Sequence, residues 1–128
     1  MQGFNPKIQP APTAKTTVTT LTIAELLTKI ITAVPTATGA TIAYTLPTGT
    51  NIDAGASLEV NDSFDWTLIN SALAAADTIT VTANADHTIV GGPIVQSLHS
   101  TTGGITGYSA QFRTRKSSAG VFVTYRIA

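Results

Sequence analysis

Asp62 and Asp65 stand three residues apart at the head of an apolar run. A pair of carboxylates is the apparatus that hydrolyses glycosidic bonds, one protonating the leaving oxygen while the other attacks or activates water. The same residues also belong to Val60-Asn61-Asp62-Ser63 and the strand start after it. Asp and Asn form turns there because their side chains bond nearby backbone, and turn chemistry is the reading adopted. His87 and His99 are the two side chains able to act as a base near neutral pH. Ser97 and Ser100 flank His99, but no G-x-S-x-G surrounds either serine, so both histidines read as surface or turn residues. Asp77 and Asp86 lack the alternating acidic pattern that concentrates oxygens on calcium. Gly91-Gly92-Pro93 and Gly103-Gly104 lack the following helix and the lysine of a phosphate-binding loop. With no cysteine there is no thiol catalysis, disulfide or thiolate metal site. The expectation is a protein that is not an enzyme and takes no cofactor, metal or small-molecule substrate.

What remains is chemistry suited to contact. Arg113, Arg115 and Arg126 lie on two strands of a C-terminal hairpin. If Ser117-Ser118-Ala119-Gly120 is a four-residue loop, Lys116 pairs with Val121, and 114/123, 112/125 and 110/127 share one face. That face reads Thr114, Phe112 and Ala110 against Val123, Tyr125 and Ile127, and is the core side. The opposite face then exposes Phe122 among the three arginines, with the Arg115 guanidinium stacked on its ring. Such a face serves a protein interface, or simply protects the strands from edge-to-edge aggregation.

The second contact element is the N-terminus. Residues 1–20 carry Pro6, Pro10 and Pro12, then Thr16-Thr17-Val18-Thr19-Thr20, and offer little to anchor a core. Proline removes an N–H and biases its predecessor away from the helical region, so this is an extended arm or a strand laid on something else. The arm residues expected to meet a partner are Phe4, Pro6, Lys7, Ile8, Pro10, Pro12 and Lys15. On the hairpin they are Arg113, Arg115, Phe122 and Arg126.

These residues need a scaffold, and the composition describes it. About a fifth of the 128 residues are Thr, while only 11% are charged. Threonine is β-branched and suits a pleated surface, and its hydroxyl stays satisfied on the wet side. Seven basic and seven acidic residues cancel, which gives no electrostatic case for nucleic acid or an anionic membrane. No stretch approaches the roughly 20 apolar residues of a membrane span, and Met1 to Lys7 contains no apolar leader core. A chain of this size is expected to form one domain, residues 21–128, behind the arm.

Within that domain Thr22-Ile23-Ala24-Glu25 is a capping box, with Leu21 and Leu26 placed as a hydrophobic staple. Ile23, Leu26, Leu27, Ile30, Ile31 and Val34 recur at helical spacing until Pro35, so an amphipathic helix is expected over about 23–34. The period then changes from 3.6 to 2. Ile42, Tyr44 and Leu46 alternate inward, as do Phe64, Trp66 and Leu68, and Thr78-Ile79-Thr80-Val81-Thr82-Ala83 sets a hydroxyl at every other position. His87 to Val90 and Ile94 to Leu98 are further short strands. The expected fold class is all-β, mainly antiparallel: a β-sandwich or jelly-roll-like body with one short N-terminal helix and the arm.

Leu21 to Leu27, Asn61-Asp62-Ser63-Phe64-Asp65-Trp66, Thr78 to Ala83, and Phe112-Arg113-Thr114-Arg115-Lys116 leading to Phe122-Val123-Thr124-Tyr125-Arg126 are the stretches that carry a resemblance. Together they resemble small structural proteins of tailed bacteriophages, nearest to head decoration, or cement, proteins. That resemblance implies a small β-body, a homotrimer by preference. It would be made in the host cytoplasm and carried on the outer surface of the virion, where an extended arm binds the major capsid protein. Tail-fibre β-domains that bind host glycans share this Thr-rich, Cys-free composition and form the alternative. Trp66, the one tryptophan, faces inward by its alternation and counts against glycan binding.

Overall fold

The computed structural model describes residues 6–35, 41–72, 77–97 and 108–128. In chain order the elements are β1 (Thr13–Lys15), β2 (Thr19–Thr20), α1 (Ile23–Leu26), β3 (Ile30–Ala33), β4 (Thr41–Thr45) and α2 (Gly49–Gly55). They continue with β5 (Ser63–Asn70), β6 (Thr78–Thr82), β7 (His87–Val90), β8 (Ile94–Val95), β9 (Ser109–Ser118) and β10 (Val121–Arg126). The strands form a six-stranded sheet ordered β1-β3-β5-β9-β10-β7 and a four-stranded sheet ordered β2-β4-β6-β8. The expectation of an all-β, two-sheet body holds. The expectation of mainly antiparallel pairing is corrected, because among the described strands five pairs are parallel and three antiparallel.

From β1 to β6 successive strands alternate between the sheets, and each lands parallel beside the strand two before it. The chain therefore winds as three stacked coils. Thr13 lies beside Ile31 and Ile31 beside Leu68 in one sheet, while Thr19, Tyr44 and Val81 line up in the other. The arm supplies the outermost coil, since β1 and β2 are edge strands of the two sheets. Residues 6–12 alone, of the arm that is described, precede any element.

Inward-facing side chains of both sheets meet in one core. Ile31, Ala33, Trp66, Leu68, Ala110 and Phe112 come from the larger sheet, and Ile42, Tyr44, Ile79, Val81 and Val95 from the smaller. Trp66 and Phe112 are register partners whose rings stack with centroids 4.6 Å apart. Asn70 is a polar tie through this core. Its Nδ2 donates to the carbonyls of Asp77 (3.1 Å) and Val95 (3.2 Å), and its Oδ1 accepts from Ala72 N–H (3.0 Å). The amide thus joins the end of β5 to the strands of the other sheet.

The helix expected over 23–34 is corrected to a single turn followed by β3. The capping box forms as read: Glu25 N–H donates to Thr22 Oγ1 (3.2 Å), and Thr22 N–H to the Glu25 carboxylate (2.9 Å). The turn closes when Thr28 Oγ1 bonds the Glu25 carbonyl (2.7 Å) and Lys29 takes a left-handed φ of 70°. Ile30-Ile31-Thr32-Ala33 is then a largely β-branched run that loses side-chain freedom in a helix and fits a pleated sheet. Between β1 and β5 it finds backbone partners on both sides. The apolar residues from Ile30 to Val34 fit a helical stripe and a two-faced strand equally, and tertiary pairing decides between them.

The expected hairpin register is corrected by one residue. The turn is tighter than a four-residue loop, with Ser118 paired to Val121 across Ala119 and Gly120, whose φ is 69°. An irregularity between Val121 and Phe122 then sets Phe122 opposite Lys116, Thr124 opposite Thr114 and Arg126 opposite Phe112. In β9 the inward residues are those expected, Ala110, Phe112 and Thr114. In β10 a slip of one exchanges the faces, so Phe122 and Thr124 are buried while Val123 and Tyr125 turn outward.

Candidate functional site

The outer face of the six-stranded sheet carries two of the three expected arginines. Asp65, Arg113, Tyr125 and Val90 form one cross-strand row, and Ser63, Arg115, Val123 and Thr88 the next. Arg113 grips Asp65 through two parallel bonds, Nε to Oδ1 at 2.7 Å and Nη2 to Oδ2 at 2.9 Å. This hydrogen-bonded cation holds the Asp65 carboxyl below the usual carboxylate range and raises the guanidinium in return. Arg115 donates from Nη1 to Asn61 Oδ1 (2.8 Å) and from Nη2 to the Tyr125 hydroxyl (3.2 Å). Its guanidinium lies 6.0 Å from the centroid of the Tyr125 ring. The aromatic partner of the arginines is thus Tyr125, and Phe122, expected as an exposed contact, is fully buried.

Arg126 does not join this patch. Its Nη1 donates to the carbonyls of Gly92 (3.2 Å) and Ile94 (2.6 Å), clasping the turn between β7 and β8. Burial pulls its guanidinium down from its ordinary value.

Beside Arg113 the surface sinks into an open concavity of about 420 Å³ lined by Leu27, Lys29, Ser63, Phe64, Asp65 and Arg113. A half-buried phenyl ring lines it together with a lysine presented by the left-handed turn after α1. Neither residue was expected in a site. Lys29 shows itself only once the chain is seen to turn rather than continue as a helix.

The arm candidates separate into two groups. Pro6, Lys7, Ile8, Pro10 and Pro12 are exposed, Ile8 to 84%. Gln9 ties them to the body by donating from Nε2 to the Thr28 carbonyl (2.6 Å). Lys15 is instead part of β1 and forms an ion pair with Glu25. Burial alone would raise the Glu25 carboxyl, but Lys15 and the capping bonds from Thr22 outweigh it and hold the pKa down. Phe4 lies outside the described residues.

The residues weighed for catalysis take structural places. Asp62 Oδ2 accepts from Glu59 N–H (3.0 Å) in the turn expected of it, while Asp65 is committed to Arg113. No group of three or more metal-binding side chains occurs among the described residues. His99, Ser100, Gly103 and Gly104 lie outside the described residues. His87 was expected at the surface and is fully buried. Its Nδ1 lies 2.7 Å from the Pro47 carbonyl and its Nε2 2.6 Å from Thr124 Oγ1. Alternation through Thr88 and Val90 sets His87 on the inward face, and that signal was present in the sequence. No protein-family model, curated protein or solved structure matches the chain.

Proposed function

We propose that this chain is a virion structural protein, a decoration or cement protein that binds the outside of a phage head as a homotrimer and bridges neighbouring major capsid protein subunits. The observation that carries the reading is the exposed, proline-studded segment Pro6 to Pro12, with Ile8 uncovered, leading into β1 and β2 at one edge of each sheet. Three prolines lower the entropy lost when such a segment is ordered against a partner, because φ is already fixed. Several linked arms then multiply individually weak contacts. The jelly-roll character belongs to this proposal too. Strands alternate between two sheets as a roll requires, while the parallel pairing of the first coils departs from it.

Co-sedimentation with purified expanded capsids tests the reading. The deletion must stop at residue 12, since β1 and β2 belong to the folded body. Full-length protein is expected to pellet with capsids, and protein lacking residues 1–12 to stay in solution with an unchanged circular dichroism spectrum. Full-length protein that ignores capsids refutes the proposal. One observation favours the alternative, a tail-fibre or host-surface module that binds glycans: Phe64 and Ser63 line the concavity beside Arg113. Binding of cells or polysaccharide without capsid binding would establish it.

A further inference from the structure

Trp66 Nε1 lies 3.0 Å from Thr114 Oγ1, Thr114 Oγ1 2.7 Å from Thr124 Oγ1, and Thr124 Oγ1 2.6 Å from His87 Nε2. His87 Nδ1 completes the row at the Pro47 carbonyl. All four side chains are buried, and they span β5, β9, β10 and β7 before reaching the corner that leads into α2. The two ends fix every proton between them. A carbonyl can only accept, so the imidazole carries its proton on Nδ1. An indole N–H can only donate, so Thr114 accepts from Trp66. Neutral Nε2 must then accept from Thr124, which spends that hydroxyl's one proton, and Thr114 must donate to Thr124. Each hydroxyl donates once and accepts once, all in one direction.

We propose that this row is a proton-sensitive latch, which in its neutral form ties β7 and the Pro47 corner to the β9–β10 hairpin and which opens when the imidazole takes up a second proton. Protonated Nε2 donates to Thr124, whose proton swings toward Thr114. Thr114 then receives two bonds, and its own proton has no acceptor left in the row. A buried cation and a buried orphan hydroxyl arise together.

No counter-charge among the described residues relieves them. The charged groups on the surrounding elements are Lys116 on β9, Arg126 on β10, Asp53 on α2 and Asp86 in the turn before β7. Asp65, Arg113 and Arg115 stand on the outer face of the sheet. Lys116 is held by Asp53 (2.5 Å) and Arg126 by backbone carbonyls, and the ring nitrogens face only Pro47 and Thr124. Burial lowers the imidazole pKa below its ordinary value, with the Pro47 carbonyl opposing in part. The folded protein therefore binds fewer protons than the unfolded chain below about pH 6.5. Stability is fully present above that value and is lost as pH falls through it, until the folded imidazole also titrates.

Urea unfolding of the full chain between pH 7.5 and 5.0 tests the latch, above the range where carboxylates dominate. The unfolding constant is expected to rise toward tenfold per pH unit below pH 6. H87Q keeps one donor and one acceptor but does not titrate, so its stability is expected to be flat over this window. H99Q is expected to keep the wild-type slope. If H87Q does not fold, the ring nitrogen shifts of wild-type His87 decide, with protonated Nδ1 and bare Nε2 expected at pH 7.5. A flat wild-type profile, an H87Q slope equal to wild type, loss of the slope in H99Q, or a proton on Nε2 at neutral pH would each overturn the proposal.

Discussion

Gly49 opens α2 where three backbones crowd together, and its replacement by alanine is the sharpest test of how that corner is assembled. A Cβ there would stand 2.0 Å from the Gly120 carbonyl oxygen and 2.6 Å from that of Asp86. Carbon-to-carbonyl contacts normally need about 3.3–3.6 Å, so the helix start and the hairpin turn must part by roughly 1.3 Å. Both obstacles are main chain and cannot rotate away. Parting strains the bonds that fasten this corner: Gly49 N–H to Ala85 carbonyl (3.0 Å) and Gly120 N–H to Asp53 Oδ2 (2.8 Å). Overpacking costs about 1–3 kcal/mol, and each strained bond about 1 more, so G49A should lose about 3–5 kcal/mol. With a urea slope of about 2 kcal/mol per molar, the midpoint falls by about 1.5–2.5 M at unchanged slope. G120A is the control. No atom lies within 4 Å of its added Cβ, and only the left-handed φ of 69° opposes it, for a loss of about 1 kcal/mol, or about 0.5 M. A G49A midpoint within 0.5 M of wild type, or G120A worse than G49A, would refute this packing.

Two further substitutions probe the core. N70A removes three bonds at once and leaves the carbonyls of Asp77 and Val95 and the N–H of Ala72 without this partner; a loss of about 3 kcal/mol is expected in urea unfolding, and N70D should not rescue it, because its oxygens would face two carbonyls. Tyr44 is buried, its phenol pKa is pushed up to about 12 by that burial, and its hydroxyl meets no hydrogen-bond partner among the described residues. Y44F should therefore leave the stability unchanged or raise it by up to about 1 kcal/mol, read as a thermal midpoint no lower than that of the wild type. A clear drop would show that the hydroxyl is bonded.

The inward faces of this fold were legible wherever one strand could be read alone. Ile42, Tyr44 and Leu46, then Trp66 and Leu68, then Ile79 and Val81 are all buried as their alternation required. The capping box at Thr22 was equally readable, being a matter of four adjacent residues. What escaped depended on distant segments. Ile30 to Ala33 became strand because β1 and β5 offered partners, which no local pattern reports. Alternation names a face but not the direction of the neighbour, so the parallel coils were hidden. The hairpin slip turned on one irregular residue before Phe122, and with it went the outward reading of Phe122 and the inward reading of Tyr125. The arginine site was therefore half legible: Arg113 and Arg115 from their spacing, Asp65 and Tyr125 only from the register.

The coiled path also dictates how the chain must find itself. Thr41 and Thr78, neighbours across two parallel strands, are 37 residues apart, and Trp66 and Thr114 are 48 apart. Parallel strands cannot be joined by a tight turn, so every coil closes a long loop before its contacts reward the ordering. Among the described pairs of the larger sheet only β9 and β10 meet across a tight turn. Loop closure therefore costs least at the hairpin, whereas β1 and β2, each at one edge of its sheet, pair only across longer loops. A fold dominated by such pairings belongs to the slow, non-local class of β proteins, and the edge strands β1 and β2 that depend on them are the ones that follow Pro6 to Pro12 in the chain.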